Sequence, residues 1–323
     1  MFSPEPGNDF ARATSRGLFV TGAPRSGTTW VGRMLALGQH FYYLHEPFNN
    51  RLRRQYPGIY GRPFACFYPY LSPPDQGAPG MQAFMDWATG APEPAGWGEA
   101  DQGQWSEAQK GHLLELRQSR REGRVPLIKD PVGVLALEWV IARYQLPVMA
   151  MVRHPAEFVR SLMQLDWHVG PGFFVRQEAF MATLPGDVAA EVVALHGSTD
   201  RLRKTALMWK VMNCHIMRVA SESGDQMHLL RHEDLAADPR AGFAALLAAM
   251  GLDDEPHLDA IEQWSGPHNP VQPEAIEIIK RDSRGNFDRW RSWFGARDMA
   301  VIREMTEPLA CQLGYTFDSP ALS

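Results

Sequence analysis

Residues 17–22 read Gly-Leu-Phe-Val-Thr-Gly, and residues 22–29 read Gly-Ala-Pro-Arg-Ser-Gly-Thr-Thr before an apolar stretch with helical spacing begins. No other passage constrains the fold as much. An unbroken apolar run of strand length predicts a buried strand. The turn that follows carries glycine and opens a helix predicted from about Gly27 to Leu37. A strand, a glycine turn and a helix in direct succession form a cradle for an anion. Gly27 lets the backbone come close, the free amides from Ser26 to Thr29 point at the anion, and the helix dipole favours negative charge there. The pattern nearly fits Gly-x-x-x-x-Gly-Lys-Ser/Thr, but Thr28 stands where the nucleotide-hydrolysing loops place Lys, and the cation is Arg25 inside the loop. Taken alone, the passage is also compatible with a tight turn and a helix cap.

Further strands are predicted at 41–44, in Val-Pro-Leu-Ile-Lys-Asp from Val125, in Leu-Pro-Val-Met-Ala-Met-Val-Arg from Leu146, and in Gln-Met-His-Leu-Leu-Arg from Gln226. Helical patterns separate them. Strands alternating with helices predict an α/β fold of the P-loop type, three layers with a central parallel sheet flanked by helices. The expected organisation is a loose tail over 1–16 and a single domain over 17–323. That domain carries an irregular insertion at about 50–115, rich in Pro, Gly and aromatic residues. Loops of that length are usually functional or mobile, so the insertion is read either as a solvated excursion or as a wall of a binding site.

The chain of 323 residues has a net charge of −5 and 45% apolar residues. That balance argues against non-specific binding of nucleic acid, which needs a basic face. Cys66, Cys214 and Cys311 are odd in number and widely spaced. They read as reduced thiols of a cytoplasmic protein, without a disulfide framework or a thiolate zinc site. No apolar run is long enough to span a membrane. No His-Glu-x-x-His or Cys/His cluster points to a metal, and no Gly-x-Ser-x-Gly points to an acyl-transfer serine.

A second anion site is predicted where the strand ending at Val152 delivers Arg153, followed by His-Pro and a helix bearing Ser161. Open α/β sheets bind ligands at the C-terminal ends of their strands. Arg offers a planar fork for phosphate, and the serine hydroxyl adds a donor. A magnesium-dependent kinase would place an acidic residue at such a strand end.

Ala-Pro-Arg-Ser-Gly-Thr-Thr-Trp (23–30) resembles the phosphate loop of the sulfotransferases that use 3′-phosphoadenosine 5′-phosphosulfate (PAPS). The resemblance implies that Arg25 holds the bridging and sulfuryl oxygens. It assigns the 5′-phosphate to Ser26, Gly27, Thr28 and Thr29, and stacks Trp30 on adenine. The eight-residue step from Arg153 to Ser161 is similar to that family's 3′-phosphate motif. Residues 282–294 resemble its C-terminal basic segment, which would bring Arg284 and Gly285 over the 3′-phosphate, although Ser283 replaces one basic residue. His-Glu-Asp-Leu (232–235) resembles its Tyr-Glu-Asp-Leu, with His232 where the adenine-contacting Tyr is expected.

An acceptor hydroxyl must lose a proton as it attacks sulfur, so a general base is expected. Glu46, in Leu-His-Glu-Pro, stands as far from the phosphate loop as the catalytic Glu of the tyrosylprotein sulfotransferases. The Lys129-Asp130-Pro131 triplet is also similar to theirs. Asp130 and His45 remain open as alternative bases, and Lys129 is expected to stabilise the sulfuryl or leaving-group charge. The expected activity is direct in-line transfer of the sulfuryl group from PAPS, releasing 3′,5′-ADP, to a hydroxyl or amine on a small molecule, lipid or saccharide. Neither a metal nor a membrane span is expected. The acceptor is expected on the side covered by residues 50–110 and 165–200. An ATP-dependent P-loop kinase and a non-catalytic nucleotide-binding protein are the alternatives.

Overall fold

The computed structural model describes residues 14–74, 79–97, 105–167, 169–252, 254–266, 268–269, 280, 282 and 288–317. The strands are β1 (Leu18–Gly22), β2 (Phe41–His45), β3 (Val125–Lys129), β4 (Val148–Val152) and β5 (Met227–Arg231). Between β1 and β3 lie α1 (Thr28–Leu35), α2 (Asn50–Gln55), α3 (Pro57–Tyr60), α4 (Pro79–Ala88) and α5 (Glu107–Arg121). Next come α6 (Leu137–Tyr144), α7 (Pro155–Gln164), α8 (Glu178–Met181), α9 (Gly186–Leu195) and α10 (Arg201–Ser223). After β5 follow α11 (His232–Ala237), α12 (Pro239–Ala249), α13 (Glu255–Ser265), α14 (Trp290–Trp293) and α15 (Ala296–Gln312).

The five strands form one sheet in the order β2-β3-β1-β4-β5, and every pairing is parallel. Side chains alternate between its faces with the two-residue period of a strand. Leu18 and Val20 join Leu127, Met149, Met151 and Leu230 on one face, beneath α1 and α12. Phe19 joins Ile128, Val148, Ala150 and Val152 on the other, beneath α6, α7 and α10. Both faces are covered, which is why β4 is apolar throughout, β1 is apolar but for Thr21, and both are fully buried. The expected three-layer α/β fold with a parallel sheet is the observed one.

Two expectations about organisation change. The stretch expected to be irregular carries α2 to α4 and the start of α5. Tyr60, Tyr68, Phe84, Trp87 and Trp97 from it are buried in the second of these cores. Its prolines do not break helices because Pro57 and Pro79 stand at helix starts, where a missing amide proton costs nothing. Its glycines permit close packing: a Cβ on Gly80 would come within 2.4 Å of the Gly61 Cα. Trp97, a candidate for ring stacking in sequence, packs on Trp87 at 5.0 Å and donates its indole N–H to Gly58 O at 2.9 Å. At the N-terminus, Thr14 falls within the stretch expected to be a loose tail. Residues 1–13 lie outside the described ones, but Thr14 is buried and its carbonyl accepts from Gly17 N at 3.1 Å.

Candidate active site

The turn after β1 is held in a conformation that few side chains adopt. Arg25 has φ 69° and Gly27 φ 95°, both in the left-handed region. Gly27 caps α1 without any side-chain hydrogen bond, so the amides of the first turn are not satisfied by a capping side chain. A Cβ on Gly27 would lie 2.5 Å from His232 Nδ1, which rules out any larger residue while His232 stands there. Ser26 is 1% exposed, and its hydroxyl has no partner among the described residues. A buried hydroxyl without a partner is costly and calls for an acceptor. Positive dipole, close-approach glycine and orphaned hydroxyl all suit a bound phosphate.

The two predicted anion motifs converge. Arg25 donates from Nε to Ser161 Oγ at 3.1 Å, and Arg153 donates from Nη1 to the Arg25 carbonyl at 2.8 Å. β1 and β4 are adjacent, so the loops at their C-terminal ends meet. α7 begins at Pro155, with His154 as cap accepting from Ala156 N, and carries Ser161 back toward Arg25.

Sequence reasoning missed Glu157. It is wholly buried in the first turn of α7 and organises the cations. It accepts from Arg153 Nη2 at 3.3 Å, from Arg160 Nη2 at 2.6 Å and Nε at 2.9 Å, and from Trp290 N at 3.1 Å. This carboxylate aims Arg153 and ties the 288–293 segment to α7. Its one sequence signal is an acidic residue at a helix start, which by itself reads as dipole compensation.

Trp30 and His232 also come together, edge to face at 5.4 Å. The Trp30 indole donates to Ser265 Oγ at 3.0 Å and is 5% exposed, so little of the ring remains for a nucleobase to cover. Arg284 and Gly285 lie outside the described residues.

At the ends of β2 and β3 the structure joins Glu46 to Lys129. His45 is in register with Lys129, and Glu46 N donates to Lys129 O at 2.8 Å. The Glu46 backbone turns to φ 51°, which brings its carboxylate back over the sheet edge. Lys129 Nζ donates to Oε1 at 2.5 Å and the Asn49 amide to Oε2 at 2.7 Å. Burial raises the Glu46 pKa, but the Lys129 charge, His45 and these two hydrogen bonds outweigh it and hold the carboxyl below its ordinary range. Burial lowers Lys129, and the Glu46 charge opposes that. Lys129 lowers Glu46 and Glu46 raises Lys129, as partners in one ion pair do, although burial leaves Lys129 below its ordinary value. The pair borders the phosphate cradle: a Cβ on Gly32, one turn into α1, would touch the Lys129 stem at 3.1 Å.

The two other candidate bases differ. Asp130 is wholly buried and points away from solvent. Its carboxylate accepts from Phe48 N at 2.6 Å, Val132 N at 2.9 Å and Gly133 N at 3.0 Å, a clamp on the loops after β2 and β3. Burial and the Glu46 charge push it up to about 7 against those hydrogen bonds. Its place is behind Glu46, holding the 46–49 turn. His45 is half exposed, lies 3.9 Å from Glu46 Oε1, and is pulled down by burial and by Lys129.

No family model and no curated protein matches the sequence. Solved structures do. The sulfotransferase domain of the Synechococcus PCC 7002 olefin synthase superposes with a TM-score of 0.51 at 19% identity, covering 94% of this chain and 95% of that one. The sulfotransferase domain from the curacin biosynthetic pathway matches at 17% identity over 93% of this chain and 97% of that one, with a TM-score of 0.47. Mouse sulfotransferase SULT7A1 complexed with PAP matches at 10% identity over 98% and 96%, with a TM-score of 0.48. With its parallel sheet and near-complete coverage of the olefin synthase domain, this chain has the fold of a sulfotransferase domain.

Proposed function

We propose that the chain is a PAPS-dependent sulfotransferase. One observation carries the reading: Arg153 and Ser161, 128 and 136 residues from Arg25 in sequence, both bond to Arg25 beside an uncapped helix start with an orphaned Ser26 hydroxyl. Two adjacent sets of anion donors at the C-terminal edge of a parallel sheet suit a nucleotide phosphorylated at both 5′ and 3′ positions. The sulfotransferase fold supports the same reading.

In this reading Ser26 to Thr29 hold the 5′-phosphate, with Arg25 against its bridging oxygen. Arg153 and Ser161 hold the 3′-phosphate. The base lies beside Trp30 and His232. Glu46 takes the proton of the acceptor hydroxyl or amine. The acceptor atom bonds to sulfur as the bond from sulfur to the 5′-phosphate oxygen breaks, and 3′,5′-ADP departs with that electron pair. Lys129 and Arg25 stabilise the charge that grows on the leaving oxygen. Lys129 thereby links the two tasks. Donor oxygens compete with Glu46 for its ammonium, and a loosened ion pair raises Glu46 toward a useful basicity. A sulfuryl group bears less charge than a phosphoryl group, so these cations suffice without a metal.

Calorimetric titration with 3′,5′-ADP, with 5′-AMP and with ATP plus magnesium tests the proposal. Binding of 3′,5′-ADP that is lost without the 3′-phosphate is expected. A preference for ATP with magnesium would replace this reading with a kinase.

A further inference from the structure

A second concavity lies outside the donor site. It encloses about 720 Å³ between residues 65–67 on one side and 169–173 on the other, and Arg176, Arg201 and Lys204 border it. That volume is in the range of small-molecule sites. Each of its two sides carries one aromatic ring: Phe67 is 39% exposed and meets Phe173 at 5.8 Å. Three cationic residues line it, and no acidic one does. Arg201 is compensated by Asp166 at 2.5 Å, and Lys204 donates to the Ser198 carbonyl at 3.2 Å. Arg176 makes no hydrogen bond or ion pair to any described residue.

Ring packing behind this cleft leads from its walls toward the segment that follows Glu46. Phe64 stacks on Phe48 at 5.8 Å and 8°, two residues past Glu46. Tyr68 lies edge-on to Phe173 at 5.2 Å, and its phenol is raised by burial and then by the Glu46 and Asp130 charges, so it stands within electrostatic reach of both. Gln177 ties the two sides together, accepting from Tyr70 N at 2.7 Å and donating to Tyr68 O and Phe173 O, each at 2.8 Å.

We infer that this cleft holds the acceptor, and that the acceptor is an apolar, ring-sized hydroxyl compound bearing an acidic group, carboxylate or phosphate, that pairs with Arg176 and Lys204. The inference rests on the sulfotransferase reading for the fate of the hydroxyl and on the cleft alone for the class of ligand. An apolar body matches Phe67 and Phe173, and a single anion matches a cationic border without acidic members. The transfer step is the one above, with the acceptor hydroxyl losing its proton to Glu46.

The test uses four probes: para-hydroxyphenylpropanoate, its methyl ester, para-hydroxyphenethyl phosphate and tyramine. Binding to the full chain is measured by calorimetry with and without 3′,5′-ADP, and sulfuryl transfer with labelled PAPS. The acid or the phosphate should bind and react in preference to ester and amine, and which of the two wins identifies the anion. Arg176→Glu combined with Lys204→Gln should raise KM for the anionic probe by about tenfold, leave the ester unchanged and leave 3′,5′-ADP binding intact. Phe67→Ala should weaken all four probes. Equal use of acid and ester, a preference for tyramine, or indifference to the charge changes would overturn the inference while the donor reading stands. Charge-dependent binding of the acid by a protein that ignores 3′,5′-ADP would uphold the cleft and remove the donor reading.

Discussion

The phosphate cradle and the acceptor-side cleft are built in opposite ways. The cradle is mostly backbone: a left-handed turn at Arg25 and Gly27, an uncapped helix start, and cations aimed by the buried Glu157. Its parts come from two short segments at the ends of neighbouring strands, fixed by the sheet. The cleft is mostly side chain. Its aromatic rings come from loops before α4 and α8, and one amide, Gln177, holds the loops together. A rigid cradle suits a donor that never changes, and a wall of exchangeable rings suits an acceptor that differs from one protein to the next. Substitutions in the cradle should therefore remove nucleotide binding outright, and those in the wall should only retune it.

The largest effect tests the cradle. The double substitution Arg25→Ala and Arg153→Ala should weaken 3′,5′-ADP binding by about a thousandfold or more, the ~4 kcal/mol expected when two charged donors are withdrawn from phosphates. The fold should persist, because Glu157 keeps Arg160 and Trp290 N as partners. Normal nucleotide binding by that variant, measured by calorimetry alongside a circular dichroism spectrum, would remove both motifs from the donor site.

Glu46→Gln comes next, at the boundary between the regions. The amide oxygen can still accept from Lys129, and its NH₂ then faces the Asn49 amide, so basicity and one hydrogen bond are lost while the side-chain shape is kept. A fall in kcat of about a hundredfold to a thousandfold is expected, with 3′,5′-ADP affinity unchanged. The pH profile of kcat/KM sharpens the assignment, since it follows the free enzyme. Glu46 acts when ionised and is held low, so the acidic limb should lie below the ordinary Glu value of about 4.3. Lys129 acts when protonated and is lowered by burial, so the alkaline limb should lie below the ordinary Lys value of about 10.4. An acidic limb near the ordinary His value would hand the role to His45.

Legibility in the sequence follows the same division. β1, β3 and β4 are readable because strands covered on both faces are apolar along most of their length, with Thr21 and Lys129 the exceptions toward their C-terminal ends, and the cradle because its chemistry needs contiguous residues. Lys129 and Glu46 lie 83 residues apart in the chain, and the register of β2 on β3 supplies their contact. That register is invisible in composition, although each residue sits at a readable strand end. The stretch from Asn50 to Trp97 read as irregular because its Pro and Gly were weighed as breakers. In the fold they sit at helix starts and at a close crossing, and the rings between them fill a core. Asp130 read as a possible base because charge alone does not reveal that three amide protons already surround it.

Asp130→Asn probes that clamp. An asparagine can serve Val132 and Gly133 with its oxygen, but its NH₂ would then face the Phe48 amide proton, donor against donor. A loss of about 1–3 kcal/mol in stability is expected from thermal denaturation, together with a lower kcat as the 46–49 turn shifts. Unchanged stability with lost activity would instead reopen Asp130 as the base.

The smallest expected effect separates the regions most cleanly. Gln177→Ala removes three hydrogen bonds, one accepted from Tyr70 N and two donated to the carbonyls of Tyr68 and Phe173. All are partly buried and near the surface, so water can replace some of them, and a loss of about 1 kcal/mol is expected. The loops that carry Phe67 and Phe173 would then be free to part, and the acceptor would have to order them again on binding. KM for the acceptor should rise about threefold to tenfold, kcat should change less, and 3′,5′-ADP affinity should not move. Weakened nucleotide binding in this variant would mean that the wall supports the cradle, and that the two halves of the site are one mechanical unit after all.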